Sequence, residues 1–414
     1  MTAESEKLLA EINAEADAIK AKAASLAAMV SADPAPTPPE PMPVPPPSGV
    51  VIIVAEPGKL QQALDAMPAG KPAICELKHG VNYPDAYVTY RGHGGASVNE
   101  EHIIHTALGG PRARLLGELH VGVGDHEIKH LAIEGIDCPV IGPSIKVWGE
   151  DIAVRSIDVI GAKRGLVVEA ESASKPLRSV YLYDAIIPGL TGTAAGMAHG
   201  LYVWGVDGLE VEGFVFDKAA SATDMFDHFA YIQASNRNVS ARNCAFLRGA
   251  DNQLRAGGYY RDCLFIGMDI GAVIGCGTAD ENVPGGATID MKRCAWLGGR
   301  KALHLGNIKS GIIEGNLFAD GTGEMAHVQA GFAGVQNLTW RNNVRRKWAQ
   351  GITFAAGMPG PGCSFTQTQE RTDLYGVDLS LGSFGFPDLF AALRNRQIAP
   401  VDVTTMARQR CGMA

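Results

Sequence analysis

Residues 242–249 read RNCAFLRG, residues 261–267 read RDCLFIG, and residues 292–298 read KRCAWLG. Each run sets a basic residue, a polar residue, a cysteine, a small or apolar residue, an aromatic and an apolar residue in the same order, with a glycine at or next to the end. With the leading residue as position zero, related stretches start at Glu134, Arg155, Tyr183, Glu212, Arg242, Arg261, Lys292, Glu314 and Arg341, 19–31 residues apart. One step before zero stand Ile133, Val154, Leu182, Val211, Ala241, Tyr260, Met291, Ile313 and Trp340. Two steps after come Ile136, Ile157, Ala185, Phe214, Cys244, Cys263, Cys294, Asn316 and Asn343. Four steps after, successive units carry Ile187, Phe216, Phe246, Phe265, Trp296 and Phe318. Apolar side chains fall on odd offsets before zero and on even offsets after it. In a strand, alternate residues share a face, so the switch of parity marks a strand that turns a corner at zero.

Each unit also has an upstream strand, among them SIKVWG (144–149), GLYVWG (200–205), FAYIQA (229–234) and ALHLGN (302–307). These alternate as half-buried strands do. Repeated units with fixed apolar columns mean a stacked architecture; the leucine-rich consensus and helical periodicity of the other solenoids are missing. The expected fold is all-β, a right-handed single-stranded parallel β-helix of about ten coils. Equivalent residues on successive coils then lie about 4.8 Å apart, like on like. Cys244, Cys263 and Cys294 become rungs of one interior ladder, small buried hydrophobes rather than nucleophiles.

Composition narrows the rest. The chain has 414 residues, 46% hydrophobic, with 50 glycines and a net charge of −8. That charge argues against general nucleic-acid binding, which needs Lys and Arg to displace counterions. The eight cysteines show no zinc-type spacing. No metal or cofactor motif is found, so none is expected; calcium stays open, though no EF-hand-like loop occurs. No apolar run reaches the roughly 20 residues of a membrane span, so no membrane insertion is expected. At the N-terminus, Leu9, Ile12, Ala16, Ile19, Ala23, Leu26 and Val30 form an a/d seam. The stretch 33–48 that follows holds nine prolines and at about 3.1 Å per residue spans about 45 Å as polyproline. A helix held that far from its own domain needs another partner for its apolar face, and a second copy supplies one. The expectation is a coiled coil over 1–31, a Pro-rich linker over 32–49 and a homo-oligomer, with a trimer favoured over a dimer; the alternative is one amphipathic helix lying on its own domain. The N-terminal stretch is charged throughout and lacks the apolar core of a secretory signal.

PGKLQQALDAMPAGKPAICELKHGVNY (57–83) reads as a short amphipathic helix, a strand and a glycine turn. It resembles the N-terminal cap of the pectate-lyase-like β-helix superfamily, and the resemblance covers residues 50–360. It implies a capped solenoid, whose open strand edges need such a cover. FPDLFAALRNRQI (386–398) has a short helical pattern within a C-terminal cap or tail over 361–414. The superfamily hosts lyases, hydrolases, isomerases and non-enzymatic viral spikes, and none of its catalytic patterns matches here residue by residue, so no family residue is carried over. A coiled coil, a stiff spacer and a β-helix in series look like a phage or phage-derived spike or fibre. That likeness implies a virion location, attachment to other particle proteins through the N-terminus, and contact with a cell-surface glycan. A free polysaccharide lyase or glycoside hydrolase, and a purely structural decoration protein, are the rival readings.

The outward positions of the upstream strand form two rows. One runs Lys146, Val167, Tyr202, Tyr231, Arg255, Ile274, His304, His327 and Thr353; the next includes Trp148, Glu169, Trp204, Gln233, Cys276 and Gln329. Sugar rings stack on aromatic faces and hydroxyls need donors and acceptors, so Trp148, Tyr202, Trp204, Tyr231, Gln233 and His327 are the expected substrate-binding residues. Just upstream, Asp227–His228 and Asp251–Asn252 align on consecutive coils. Paired carboxylates run glycoside hydrolysis, and Arg255 suits neutralising a uronate or acting as a base. Asp227, Asp251, Arg255, His228 and His304 are therefore the catalytic candidates, with turn-forming aspartates as the plainer alternative.

Overall fold

A computed structural model describes residues 49–413, apart from 93, 96, 98–100, 108–109, 123–127, 139–142, 160–163, 173, 191–198, 220–227, 234, 250–253, 256, 275–286, 331–333, 367 and 369. The coiled coil expected over 1–31 and the linker expected over 32–49 lie, apart from residue 49, outside the described residues. The corner deduced from the repeat is present on every unit. Gly135, Ser156, Asp184, Gly213, Asn243, Asp262, Arg293, Gly315 and Asn342, each one step after zero, all have φ between 51° and 69°. One left-handed residue swings the strand onto the next face. Gly, Asn and Asp tolerate that conformation best. Ser156 and Arg293 are the exceptions, and each is tied to a corner aspartate of an adjacent coil: Ser156 Oγ donates to Asp184 at 2.7 Å and Arg293 pairs with Asp262 at 2.6 Å.

With every corner at the same place, the coils stack in register. Glu212, Arg242, Arg261, Lys292, Glu314 and Arg341 are successive parallel partners. Their outward side chains form a ladder of ion pairs, such as Arg242–Glu212 at 2.7 Å and Arg341–Glu314 at 2.8 Å. That explains why position zero is usually charged. Exposed pairs of this kind contribute little energy, so their part is in matching neighbours rather than in holding the fold. A 22-stranded sheet forms two faces of the solenoid and an eleven-stranded sheet, from Tyr87–Tyr90 to Gln350–Phe354, forms the third. The fold is a right-handed parallel β-helix.

The interior columns are those read from the repeat. Phe216, Phe246, Phe265, Trp296 and Phe318 stack face to face, with centroids 4.7–5.2 Å apart, and Trp340, from the column one step before zero, extends the stack at 5.5 Å. Cys244, Cys263 and Cys294 are free and buried. Asn316 and Asn343 continue their column as a buried amide ladder: Asn316 Nδ2 donates to Asn343 Oδ1 at 2.9 Å, and Cys294 N donates to Asn316 Oδ1 at 2.9 Å. Polar groups are tolerated here because each finds a partner. At the start, helix α1 (Leu60–Asp65) buries Leu60, Ala63 and Leu64 over the first coil. Coils begin earlier than the repeat did: Val54, Glu76, His105 and Glu134 are successive partners.

The C-terminal segment starts on the last coil, where Ser364 and Phe365 pair with Thr339 and Trp340. It runs back along the outside of one face. Helix α2 (Leu389–Arg394) falls within the expected helical pattern, and helix α3 (Pro400–Arg410) adds a second. Leu374, Phe384, Leu389, Leu393, Val403 and Ala407 pack on Val215, Leu247, Leu264, Ile266, Leu297 and Leu317, the outward residues flanking the aromatic ladder. This gives the opening motif its second explanation. In Ala245–Leu247, Leu264–Ile266 and Ala295–Leu297 all three residues are buried, the middle one inward and its neighbours beneath the C-terminal segment. Polar ties fix the segment: Arg394 joins Arg248 on Asp217, which is 1% exposed, and Arg396 bonds Asp158 at 2.8 Å. Among the described residues no helix is long and apolar enough to cross a membrane.

Two stability measurements follow from this packing. Asn342→Val is expected to lose about 1–2 kcal/mol in urea unfolding, the cost of a left-handed β-branched residue, while Asn342→Gly stays near wild type. Leu393→Ala is expected to cost about 2–5 kcal/mol and to make the C-terminal segment more sensitive to limited proteolysis.

Candidate functional site

Three outer faces are available. One carries the ion-pair ladder and one lies under the C-terminal segment. The outer face of the eleven-stranded sheet remains. Its alternation breaks once per coil, where two successive residues both face the interior. Gly200 and Leu201 are such a pair. Leu201 is buried in the core, and a Cβ on Gly200 would lie 2.9 Å from the Phe216 ring. Phe229–Ala230, Ala302–Leu303 and Met325–Ala326 repeat the arrangement. The residues on either side of each pair, three apart in sequence, therefore share the outer face: His199 with Tyr202, His228 with Tyr231, Lys301 with His304, Glu324 with His327.

Across coils, Lys146, Val167, Tyr202, Tyr231, Arg255, Val273, His304, His327 and Thr353 are successive partners. The sequence expectation of this row holds with one correction: Val273, not Ile274, lies between Arg255 and His304. Gly271–Ala272 is the inward pair of this coil, so Val273 follows it as Tyr202 follows Gly200–Leu201, and a Cβ on Gly271 would meet Trp296 Nε1 at 2.8 Å.

Two clusters stand on this face. In the first, His199 and His228 stack at 5.4 Å, 2% and 1% exposed, beneath Tyr202 and Tyr231. The two tyrosine rings meet edge-on at 5.7 Å, and Gln233 Nε2 donates to Tyr202 Oη at 2.8 Å. Trp204 neighbours Glu169 on the adjacent coil. Further along, Lys146 Nζ sits 4.0 Å from the Trp148 ring and 3.0 Å from Glu169. His228, a catalytic candidate from the sequence, is thus a buried support for Tyr231. Trp148, Tyr202, Trp204 and Tyr231 are half-buried, each with part of its surface open.

In the second cluster, Lys301 Nζ pairs with Glu324 Oε2 at 2.8 Å, and Thr353 Oγ1 donates to Glu324 Oε1 at 2.8 Å. His327 Nδ1 lies 2.8 Å from the same threonine oxygen. His304 meets the His327 ring edge-on at 5.3 Å. Burial, helped by Lys301 and His327, pushes His304 down to about 4, so it is neutral in ordinary buffers. Sequence reading singled out His304 and His327 here and missed Lys301 and Glu324. The signal was present as a recurring four-residue pattern, HGLY, HFAY, KALH and EMAH (199–202, 228–231, 301–304, 324–327). Its two apolar middle residues were read as ordinary alternation.

Asp227, Asp251 and Cys276 lie outside the described residues, as does the Arg255 side chain; the Arg255 backbone pairs with Tyr231 and Val273. His304 stands three rungs from Tyr231, the outward partner of His228 on its own strand, about 14 Å along the sheet, so His228 and His304, the two catalytic candidates with described side chains, stand apart. Among the described residues no group of three or more His, Cys, Asp and Glu side chains is placed to hold a metal ion. A cavity of about 620 Å³, lined by Met325, Arg345, Ile352, Phe354, Phe365 and Glu370, opens inside the last coil, behind the strand that carries Thr353.

No protein-family model matches the chain, and no curated protein matches it. Several solved structures are similar in fold. A mannuronic-acid-specific family 6 polysaccharide lyase from the human gut microbiota is 12% identical, with a TM-score of 0.49 over 76% of this chain and 83% of that one. A PL6-family alginate lyase is 10% identical, with a TM-score of 0.45 over 78% of this chain and 54% of that one. The catalytic domain of a GH87 alpha-1,3-glucanase in complex with nigerose is 10% identical, with a TM-score of 0.40 over 80% of this chain and 70% of that one. The assignment of the fold rests on this chain's own strand register.

The depressed His304 has a consequence for stability. Between about 4 and 6.5 the unfolded chain binds a proton that the folded chain refuses. Stability is therefore full above 6.5 and falls as the pH drops toward 4. His304→Gln is expected to flatten that part of the curve, measured by urea unfolding at several pH values across the window.

Proposed function

We propose that the protein binds an extended cell-surface polysaccharide along the outer face of the eleven-stranded sheet, as the host-contacting spike or fibre of a phage or phage-like particle. The observation that carries the binding part is the set of half-buried side chains on this face: the aromatic Trp148, Tyr202, Trp204 and Tyr231, and the hydrogen-bonding Gln233, His304, His327 and Thr353. Aromatic faces offer sugar rings a flat apolar surface, and Gln233, His304, His327 and Lys301 offer donors and acceptors beside it. The row is straight and repeats at the coil spacing, which suits a linear polymer rather than a compact ligand. The attachment part rests on the sequence of residues 1–49: an apolar seam suited to a homotrimer, followed by a stiff spacer that holds the β-helix away from its anchor. Other particle proteins are the partners of that segment.

A second reading is favoured by the Lys301–Glu324–Thr353–His327 cluster. A passive sugar platform has no need of an engaged carboxylate, an ammonium and two imidazoles in one network. On this reading the protein also cuts the glycan it binds, as a lyase or a hydrolase, attached to a particle or free.

Binding to a panel of bacterial surface polysaccharides tests the first reading. Trp204→Ala and Tyr231→Ala are each expected to weaken binding about tenfold, the loss of one aromatic contact of about 1–1.5 kcal/mol. Removal of residues 1–49 is expected to abolish particle attachment and trimer formation while glycan contact persists. A variant pair that binds every glycan as wild type does would remove the face from consideration.

A further inference from the structure

The hydrogen bonds around Thr353 determine which nitrogen of His327 carries its proton. The threonine oxygen is 2.8 Å from Glu324 Oε1 and 2.8 Å from His327 Nδ1. Burial works to raise the Glu324 carboxyl, but the bonds from Lys301 and Thr353 outweigh it and hold it below its ordinary value. Glu324 is therefore a carboxylate and only accepts. The one hydroxyl proton goes to Glu324, so the hydroxyl oxygen must accept from an Nδ1–H. In the neutral ring the lone pair then sits on Nε2. Lys301 is 14% exposed and Glu324 and His327 are each 26% exposed. Lys301 is thus the more shielded member, while the carboxylate and the imidazole are equally open to solvent.

We propose that His327 Nε2 is the general base of a cleavage reaction on this face, with Thr353 and Glu324 as positioning residues and Lys301 keeping Glu324 in place. The assignment rests on the reading of the face as a glycan site.

The same groups indicate the class of reaction. Two-carboxylate hydrolysis needs one carboxylic acid and one carboxylate flanking the bond. Glu324 is the carboxylate of this cluster among the described residues, and both its oxygens are engaged. Elimination needs a single base aimed at the C–H next to a carboxyl group, so the fitting substrate is a uronate-containing glycan. Nε2 takes that proton, and the C–H electron pair becomes a carbon–carbon double bond. The bond from the neighbouring ring carbon to the glycosidic oxygen breaks. The imidazolium then returns the proton to that oxygen. The products are a shortened chain and an unsaturated uronate, with the imidazole restored and no further reactant consumed.

The test uses the full chain with soluble polymannuronate, polyguluronate and polygalacturonate, reading unsaturated product by absorbance and binding separately. Wild type is expected to release absorbing product from at least one of them. His327→Ala should lower kcat by about 10²–10⁴-fold with binding retained. Thr353→Val should lower kcat with KM unchanged, and Thr353→Ser should recover it. Binding without absorbing product, or wild-type rates in a folded His327→Ala variant, overturns the assignment and leaves the glycan-binding reading in place. If His327→Ala does not fold, equal rates for Thr353→Val and wild type overturn it. No binding to these polymers or to any surface polysaccharide overturns the glycan reading, and the assignment with it.

Discussion

A left-handed residue at the same place on each of the nine units holds the rest of this structure in order. Because the corner after position zero recurs on all nine units with nearly the same φ, each strand meets its neighbour in a fixed register. Everything periodic in the molecule follows from that. The aromatic stack, the cysteine column, the amide ladder and the charged ladder are the same side-chain positions seen on successive coils. A one-residue slip in a strand exchanges its inner and outer faces, and the corner prevents it.

The register leaves three outer faces, and each is used differently. One carries exposed ion pairs that add little to stability. One is apolar and lies beneath α2 and α3, so its strands bury both faces and read as continuous apolar runs. The third keeps aromatic, basic and acidic side chains half-exposed. On it the paired inward residues bring two outward residues three apart onto one surface. Without them, Lys301 would not stand beside His304, nor Glu324 beside His327. The same steric demand that fills the interior thus builds the network on the outside.

Much of this is legible in the amino-acid sequence. The parity switch at zero located the corner, and the columns from Ile187 to Phe318 located the core, because both depend on spacing alone. The polar row was legible too, apart from the position taken by Val273. Lys301 and Glu324 were not, since a strand read as strict alternation assigns residues three apart to opposite faces. The backward path of the C-terminal segment was not legible either. The leucines of 374–393 announce that something apolar is covered, but any face of the solenoid would satisfy the pattern. The tie of Arg394 to Asp217, beside that from Arg248 on the adjacent coil, joins residues with no periodic relation.

The sequence by itself determined the stacked-coil fold, the identity of its interior columns and the face that carries aromatic and titratable groups. These are local facts, set by which residues accept a left-handed corner and which alternate between water and core. Only the tertiary structure decided that His228 is a buried support, that His304 is held neutral beside His327, and that Glu324, Thr353 and His327 form one relay. Those outcomes depend on distances and burial between coils, where a hydroxyl with one proton and a carboxylate with none leave a single arrangement that satisfies both.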